Sequence, residues 1–274
     1  MGPESTVPRK EAGLMELEQL AAKAGQVVQE AGKLIQSIPR PQIYTKEGHA
    51  NFVTEADMAS QKFLIEHLTP LLPQAHFFAE EQEDNRLAPG WNWIIDPIDG
   101  TTNFIRDYRA STISVGLIQD GVGMMGLVLD PYRGELFSAI RGQGAFCNGE
   151  AIHAADVPTS SALVAFGTAP YYQELKAATF AMAQEVALSC GDLRRSGSAA
   201  LDLCHLAMGR LDGFFELRLS PWDYAGSSVI LREAGAVIGS APGQEFSYQQ
   251  PQVILAGAPK VHALLEEIAR KHCP

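Results

Sequence analysis

The stretch Trp93 to Phe104, WIIDPIDGTTNF, constrains this chain more than any other. Trp93, Ile94 and Ile95 are apolar and β-prone, the composition of a buried strand end. Two carboxylates, Asp96 and Asp99, then flank Pro97 and Ile98. Pro97 fixes its own φ and lacks an N–H, so the strand is expected to stop there and turn. Gly100 allows backbone angles and close approaches closed to other residues. Thr101, Thr102 and Asn103 read as the opening turn of a short helix, where backbone N–H groups have no partner within the helix. Two hard oxygen ligands beside an anion-accepting nest suit a divalent metal together with phosphate. A polar turn after a core strand fits the same letters, and the short motif leaves both readings open.

The 274 residues give ample length for a core, as one large domain or two closely packed halves. A formal charge of -11 disfavours nucleic-acid and anionic-membrane partners. An acidic protein that takes a phosphorylated substrate needs a local cation. Cys147, Cys190, Cys204 and Cys273 form no C-x-x-C pair and read as reduced thiols of a cytoplasmic protein, without zinc. No apolar run reaches transmembrane length, and no signal-peptide core precedes the first helix, so no membrane partner is expected.

Residues 1–9 are polar and Pro-containing and are expected to form a flexible tail, leaving 10–274 as a single domain with halves at about 10–155 and 156–274. From Leu17 to Ile35 apolar residues recur at helical spacing. Lys46 to Val53 is a polar, Gly-containing segment that fits a mobile lid or a loop. Thr54 is placed to cap a second helix whose acidic first turn holds Asp57. Phe77 and Phe78 suggest a strand that delivers Glu80 and Glu81 at its end. Ser111–Gln119 and Val122–Leu129 are β-runs joined by Asp120-Gly121, a hairpin signal, and Glu135–Ile140 follows as a third. Gly142, Gly144 and Gly149 mark a tight passage. Beyond it strands alternate with helices: Leu163–Gly167, the helical Glu174–Leu188, Leu193–Ser196, the helical Gly197–Gly209, Gly213–Leu217, a helix opened by Pro221-Trp222-Asp223, Val253–Ala256, and a terminal helix from Pro259.

Acidic groups thus fall at strand ends or helix starts at Asp57, Glu80, Asp96, Asp99 and Asp223. Sharing one pocket at neutral pH would require cations, because like charges raise one another's pKa. Here the chain resembles the inositol monophosphatase family. WIIDPIDGTTNF matches the family's first signature and Pro221 to Ile238, PWDYAGSSVILREAGAVI, its second. Ala79-Glu80-Glu81 stands where the family has G-E-E, and Arg195 to Leu203 resembles its substrate-side helix start. The resemblance implies an α+β fold, the layered α-β-α-β-α sandwich of the sugar phosphatases, and a Mg²⁺-dependent, lithium-sensitive phosphomonoesterase working as a homodimer. It implies two to three Mg²⁺ ions on Glu80, Asp96, the Ile98 carbonyl, Asp99 and Asp223. Thr101, bonded to Asp57, would orient and deprotonate the attacking water, with Glu80 sharing a weaker ion. The Gly100 and Thr101 N–H groups would cradle the phosphate. Gly197, Ser198, Ala199 and Glu216 would face the alcohol portion, and Lys46 matches a lysine near the family's site. Myo-inositol 1-phosphate is the lead substrate. Fructose 1,6-bisphosphate, NADP(H) and adenosine bisphosphates are alternatives on the same fold, and a regulatory binding protein without catalysis is the alternative of another class. Trp93 and Trp222 read as core, and Arg194 and Arg195 as structural or interface charges rather than substrate clamps.

Overall fold

Apolar residues separated by turn signals build two sheets that differ in size and in the helices that cover them. The computed structural model describes residues 9–38, 41–45, 52–82 and 86–273. The tail 1–8 and the segment 46–51, with Lys46, lie outside the described residues; Arg9, counted with the tail, already belongs to the first helix. That helix, α1, is Arg9–Gln36, and it buries Ala24, Val27, Val28, Ala31 and Ile35 on the stripe that the 3.6-residue period sets. A short hairpin, β1 (Ile43–Thr45) and β2 (Phe52–Thr54), leads into α2 (Glu55–Leu68).

The larger sheet has seven strands: β3 (His76–Ala79), β4 (Trp91–Asp99), β5 (Thr112–Gln119), β6 (Val122–Asp130), β7 (Glu135–Ile140), β8 (Ala145–Cys147) and β9 (Glu150–Ile152), in that spatial order. Only β3 and β4 run parallel; the rest is an antiparallel meander. Asp120 and Gly121 both take positive φ, 47° and 80°, which makes the β5–β6 turn the type that matches strand twist. The five-residue α3 (Thr101–Ile105) follows β4.

The second half holds β10 (Leu163–Phe166), α4 (Lys176–Ser189), β11 (Asp192–Arg194), α5 (Ala199–Ala207), β12 (Gly213–Leu219), α6 (Pro221–Glu233), β13 (Val237–Gly239), β14 (Gln252–Gly257) and α7 (Pro259–His272). Its five strands are ordered β11-β10-β12-β14-β13. Three apolar cores join the layers. One lies between α1, α2 and the large sheet, one surrounds α5 and α6 between the two sheets, and one lies between the small sheet and α4 with α7. The order is therefore helices, sheet, helices, sheet, helices, the α-β-α-β-α sandwich that the resemblance implied.

Two findings depart from the sequence reading. Pro97 does not end its strand: β4 continues to Asp99 through an irregularity, with Asp96 opposite Ser114 and Asp99 opposite Thr112. β3 pairs only as far as Ile95, so beyond that point the missing Pro97 N–H breaks no ladder bond with it. The glycine-rich passage after β7 carries two three-residue strands, β8 and β9, and the sequence reading likewise lacks β13 and the β1–β2 hairpin, whose second strand takes Phe52 and Val53 from the segment expected as a lid or loop. Such strands are too short to show a period.

The middle helix α6 touches the large sheet backbone to backbone. A Cβ built on Gly126 of β6 would lie 2.0 Å from the Gly226 carbonyl oxygen of α6. This contact sets how deeply the N-terminus of α6, with Asp223, sits against the end of β4.

Candidate active site

Each acidic group is delivered by a different backbone device. Asp96 and Asp99 stand at the end of β4, where Asp96 Oδ1 accepts the Ile98 N–H at 3.0 Å. The Glu80 N–H bonds the Ile95 carbonyl at 3.1 Å, so Glu80 leaves β3 beside that end. Pro221 opens α6, and Asp223 in its first turn accepts the Ser220 N–H on Oδ2 at 2.7 Å. Carboxylate oxygens of Asp96, Asp99 and Asp223 all lie within 4.8 Å of one another. Asp57 closes a capping box on α2: Thr54 caps the helix and the Thr54 N–H bonds Asp57 Oδ2 at 2.8 Å. The other oxygen, Oδ1, accepts the Thr101 hydroxyl at 3.2 Å, and that hydroxyl also lies 3.1 Å from the Ile98 carbonyl.

All of these acidic groups except Asp57 border a cavity of about 600 Å³. Its wall includes Glu80, Asp96, Ile98, Asp99, Gly100, Thr101, Gly197, Ser198, Ala199, Glu216 and Asp223, so every site residue named from the sequence reaches it except Asp57 and Lys46. Asp57 stands one hydrogen bond behind Thr101, and Lys46 lies outside the described residues. Gly100 takes φ +85° under the Ala110 and Gly197 carbonyls, where a side chain would be strained.

Burial, and after it the charges of Glu80, Asp99, Asp223 and Asp57, pushes the Asp96 pKa well up. Burial, then Asp99 and Glu80, does the same to Asp223. Asp99 rises to about 6 through burial, opposed by the Ser198 hydroxyl and the Ala200 N–H, 2.7 Å away, which both bond its Oδ2. Burial also lifts Asp57 to about 6. Hard oxygens this close, each favouring its proton until a cation arrives, are the donor set that Mg²⁺ takes.

Ser198 reaches the cavity wall, but its hydroxyl is directed to Asp99 rather than left for an alcohol. Glu216 is 5% exposed, and its Oε1 accepts the Ala169 N–H at 2.7 Å. Gly167 makes room for it, since a Cβ there would overlap the Glu216 carboxylate. Burial pushes the Glu216 pKa up to about 8. A carboxyl raised in the fold stabilises it most below its unfolded value, and that contribution is lost as pH climbs towards 8. Glu216→Gln is therefore expected to raise the stability little at pH 5 and by on the order of 3 kcal/mol at pH 8, with the melting temperature following. Thermal scans across that range check it, and a pH-independent increment would contradict the assignment.

The wall also holds residues the sequence reading passed over. Arg195, read as structural, lines the cavity, and so do Arg218, Asp202, Tyr171 and Tyr172. Phe214, Glu216 and Arg218 alternate along β12 and face the cavity together, so the period of two could have found Arg218 from Glu216. Asp202 is 4% exposed, and burial lifts its pKa to about 7. Trp93 is core as expected, whereas Trp222 joins the wall while packing edge-on against Phe78.

The inositol monophosphatase family model matches residues 12–273. The Nus factor SuhB of Escherichia coli (strain K12) is 36% identical over 219 residues, 79% of this chain and 82% of that one. The inositol-1-monophosphatase of Bacillus subtilis (strain 168) is 31% identical over 256 residues, 92% of this chain and 96% of that one. The crystal structure of the extragenic suppressor protein suhB from Bartonella henselae superposes with a TM-score of 0.85 at 28% identity, over 92% of this chain and 99% of that chain. Motifs, layered architecture and these likenesses agree, and the chain belongs to the inositol monophosphatase family.

Proposed function

We propose that the protein is a Mg²⁺-dependent phosphomonoesterase that hydrolyses myo-inositol 1-phosphate or a related polyol phosphate. The convergence of the Asp96, Asp99 and Asp223 carboxylates in one cavity, with Thr101 and Asp57 behind them, carries this reading. The Bacillus relative named inositol-1-monophosphatase supports the substrate class. Glu80, Asp96, the Ile98 carbonyl, Asp99 and Asp223 would hold two to three Mg²⁺ ions. Bound there, the metal supplies Lewis-acid charge for the phosphoryl oxygens and leaving group and makes water nucleophilic near neutral pH.

The chain's own residues do the rest. The Gly100 and Thr101 N–H groups bind phosphoryl oxygens at the start of α3. Thr101 orients the attacking water and relays its proton to Asp57, whose pKa of about 6 suits it to receive a proton in the neutral range. Ser198 and the Ala200 N–H fix Oδ2 of Asp99, whose carboxylate borders the cavity. Glu216, with Oε1 on Ala169, offers Oε2 to a substrate hydroxyl.

Phosphate release from a panel of inositol, sugar and nucleotide monoesters tests the reading. Release is expected to vanish with EDTA, return with Mg²⁺ and fall with lithium. Activity indifferent to chelation would overturn it. Fructose 1,6-bisphosphate, NADP(H) and adenosine bisphosphates are the alternative substrates in the same panel. A second reading, a regulatory binding protein, draws on the relative named Nus factor SuhB. The complete carboxylate set favours chemistry over that reading, because a purely regulatory descendant has no need of Glu80, Asp96, Asp99, Thr101 and Asp223 together. A cytoplasmic homodimer completes the proposal, with light scattering as the test of its mass. Among the described residues no helix is long and apolar enough to cross a membrane.

A further inference from the structure

Two guanidinium groups reach the cavity from different parts of the small sheet. Arg195 follows β11, and Arg218 lies on β12 two residues beyond Glu216. Arg195 Nη2 donates to the Thr168 hydroxyl oxygen at 3.2 Å. The Arg218 guanidinium carbon lies 4.6 Å from the centre of the Tyr172 ring. Both contacts are to neutral groups, and both fall on the loop 167–172 after β10, which Glu216 itself holds through Ala169. Among the described residues no carboxylate forms an ion pair with either arginine, whereas neighbouring Arg194 is paired to Asp192. The loop thus fixes both guanidinium groups in the wall without neutralising them.

Their position in the field of the site is distinct. The leading charges acting on Asp96 are Glu80, Asp99, Asp223 and Asp57, all acidic. Arg195 acts instead on Glu216 and Asp202. Arg195 therefore places positive charge beside Glu216, where the alcohol portion of a phosphate ester would lie, and Arg218 stands two residues along β12 from that carboxyl. A neutral polyol needs only hydrogen-bond acceptors and donors there, which Glu216 and the main chain supply. Guanidinium groups held by neutral partners at a cavity wall match an oxyanion, because their donor forks fit carboxylate and phosphate oxygens.

We propose that the preferred substrate carries, on its alcohol portion, a second oxyanion bound by Arg195 and Arg218. This rests on the phosphomonoesterase reading, and within it sets a polyol phosphate with a second anionic group above myo-inositol 1-phosphate, whose alcohol portion carries none. Two matched pairs test it: fructose 1-phosphate against fructose 1,6-bisphosphate, and glycerol 2-phosphate against 2-phosphoglycerate, in which a carboxylate replaces one hydroxymethyl group. The wild-type protein is expected to show a kcat/KM at least about tenfold higher for the doubly anionic member of one or both pairs. The pair that responds tells a phosphate from a carboxylate. Arg195→Gln and Arg218→Gln should each reduce that ratio by about tenfold, chiefly through KM, and Arg218→Lys should restore part of it. Both arginines are exposed, so the variants should fold, and their melting temperatures check this. A wild-type ratio near one in both pairs, or a ratio that survives both Gln variants, overturns the inference. If no ester is hydrolysed with Mg²⁺ present, the phosphatase reading fails. The Kd ratios of the same pairs, measured by calorimetry on wild type and variants, then decide the inference by the same criteria.

Discussion

Asp96→Asn is expected to lower kcat/KM for phosphate release by at least about a thousandfold, the scale of losing a metal-borne charge from a phosphoryl-transfer site. Asparagine keeps an oxygen for the Ile98 N–H that Asp96 Oδ1 now accepts, so the end of β4 should hold its shape. The same variant makes a second, opposite prediction for stability. Asp96 is 1% exposed and repelled by Glu80, Asp99, Asp223 and Asp57. Without metal, the fold must either hold that charge or take up a proton to cancel it, and asparagine spares it both costs. The variant should therefore melt higher than wild type in EDTA. With Mg²⁺ the order should reverse, because the wild type gains binding free energy that the variant lacks. Scanning fluorimetry in the two buffers, beside a phosphate-release assay, reads both effects. Wild-type turnover in the variant would refute the ligand assignment, and an unchanged melting order would refute the electrostatic account.

Gly126→Ala carries the largest structural effect. The added Cβ would lie 2.0 Å from the Gly226 carbonyl oxygen, a contact with backbone that no rotamer change relieves. The helix α6 must then lift from β6, at a cost of about 3 kcal/mol or a fall of about 6 to 12 °C in melting temperature for a domain of this size. Because α6 carries Asp223, the displacement should also weaken Mg²⁺ binding, although Gly126 does not reach the cavity. Gly25→Ala is the control. Gly25 sits inside α1 and its Cβ would meet only Leu136 Cδ2, at 3.5 Å, so the substitution should be neutral or stabilising by about 0.5 to 1 kcal/mol. Equal melting temperatures for the two variants would refute the close-contact account.

Length and burial decided which parts of this fold could be read from sequence. α1, β5, β6, β7 and α7 are long enough to show a period, and their turns carry Asp120-Gly121 and Pro259 where the chain needs them. β8, β9 and β13 have three residues each, and only pairing with neighbours identifies them. Pro97 misled because proline reports a missing donor, not whether a neighbouring strand wanted one. At the site, Asp57, Glu80, Asp96, Asp99 and Asp223 are legible as carboxylates at element ends; the two long motifs tie Asp96, Asp99 and Asp223 together, and the wider family resemblance adds Glu80 and Asp57. Arg195 and Arg218 are not, because charged side chains on exposed segments normally face water and only the loop 167–172 turns these into cavity wall.

The irregularity in β4 has a consequence for how such a site can arise. Side chains three apart on a regular strand point to opposite faces of the sheet. Asp99 lies three positions beyond Asp96, but their partners, Ser114 and Thr112, are only two positions apart. The surplus residue resets the alternation, and both carboxylates emerge on one side. Removing Pro97 or Ile98 would change that parity along with the spacing. One backbone kink therefore couples the two carboxylates, so that a change in its length moves both at once.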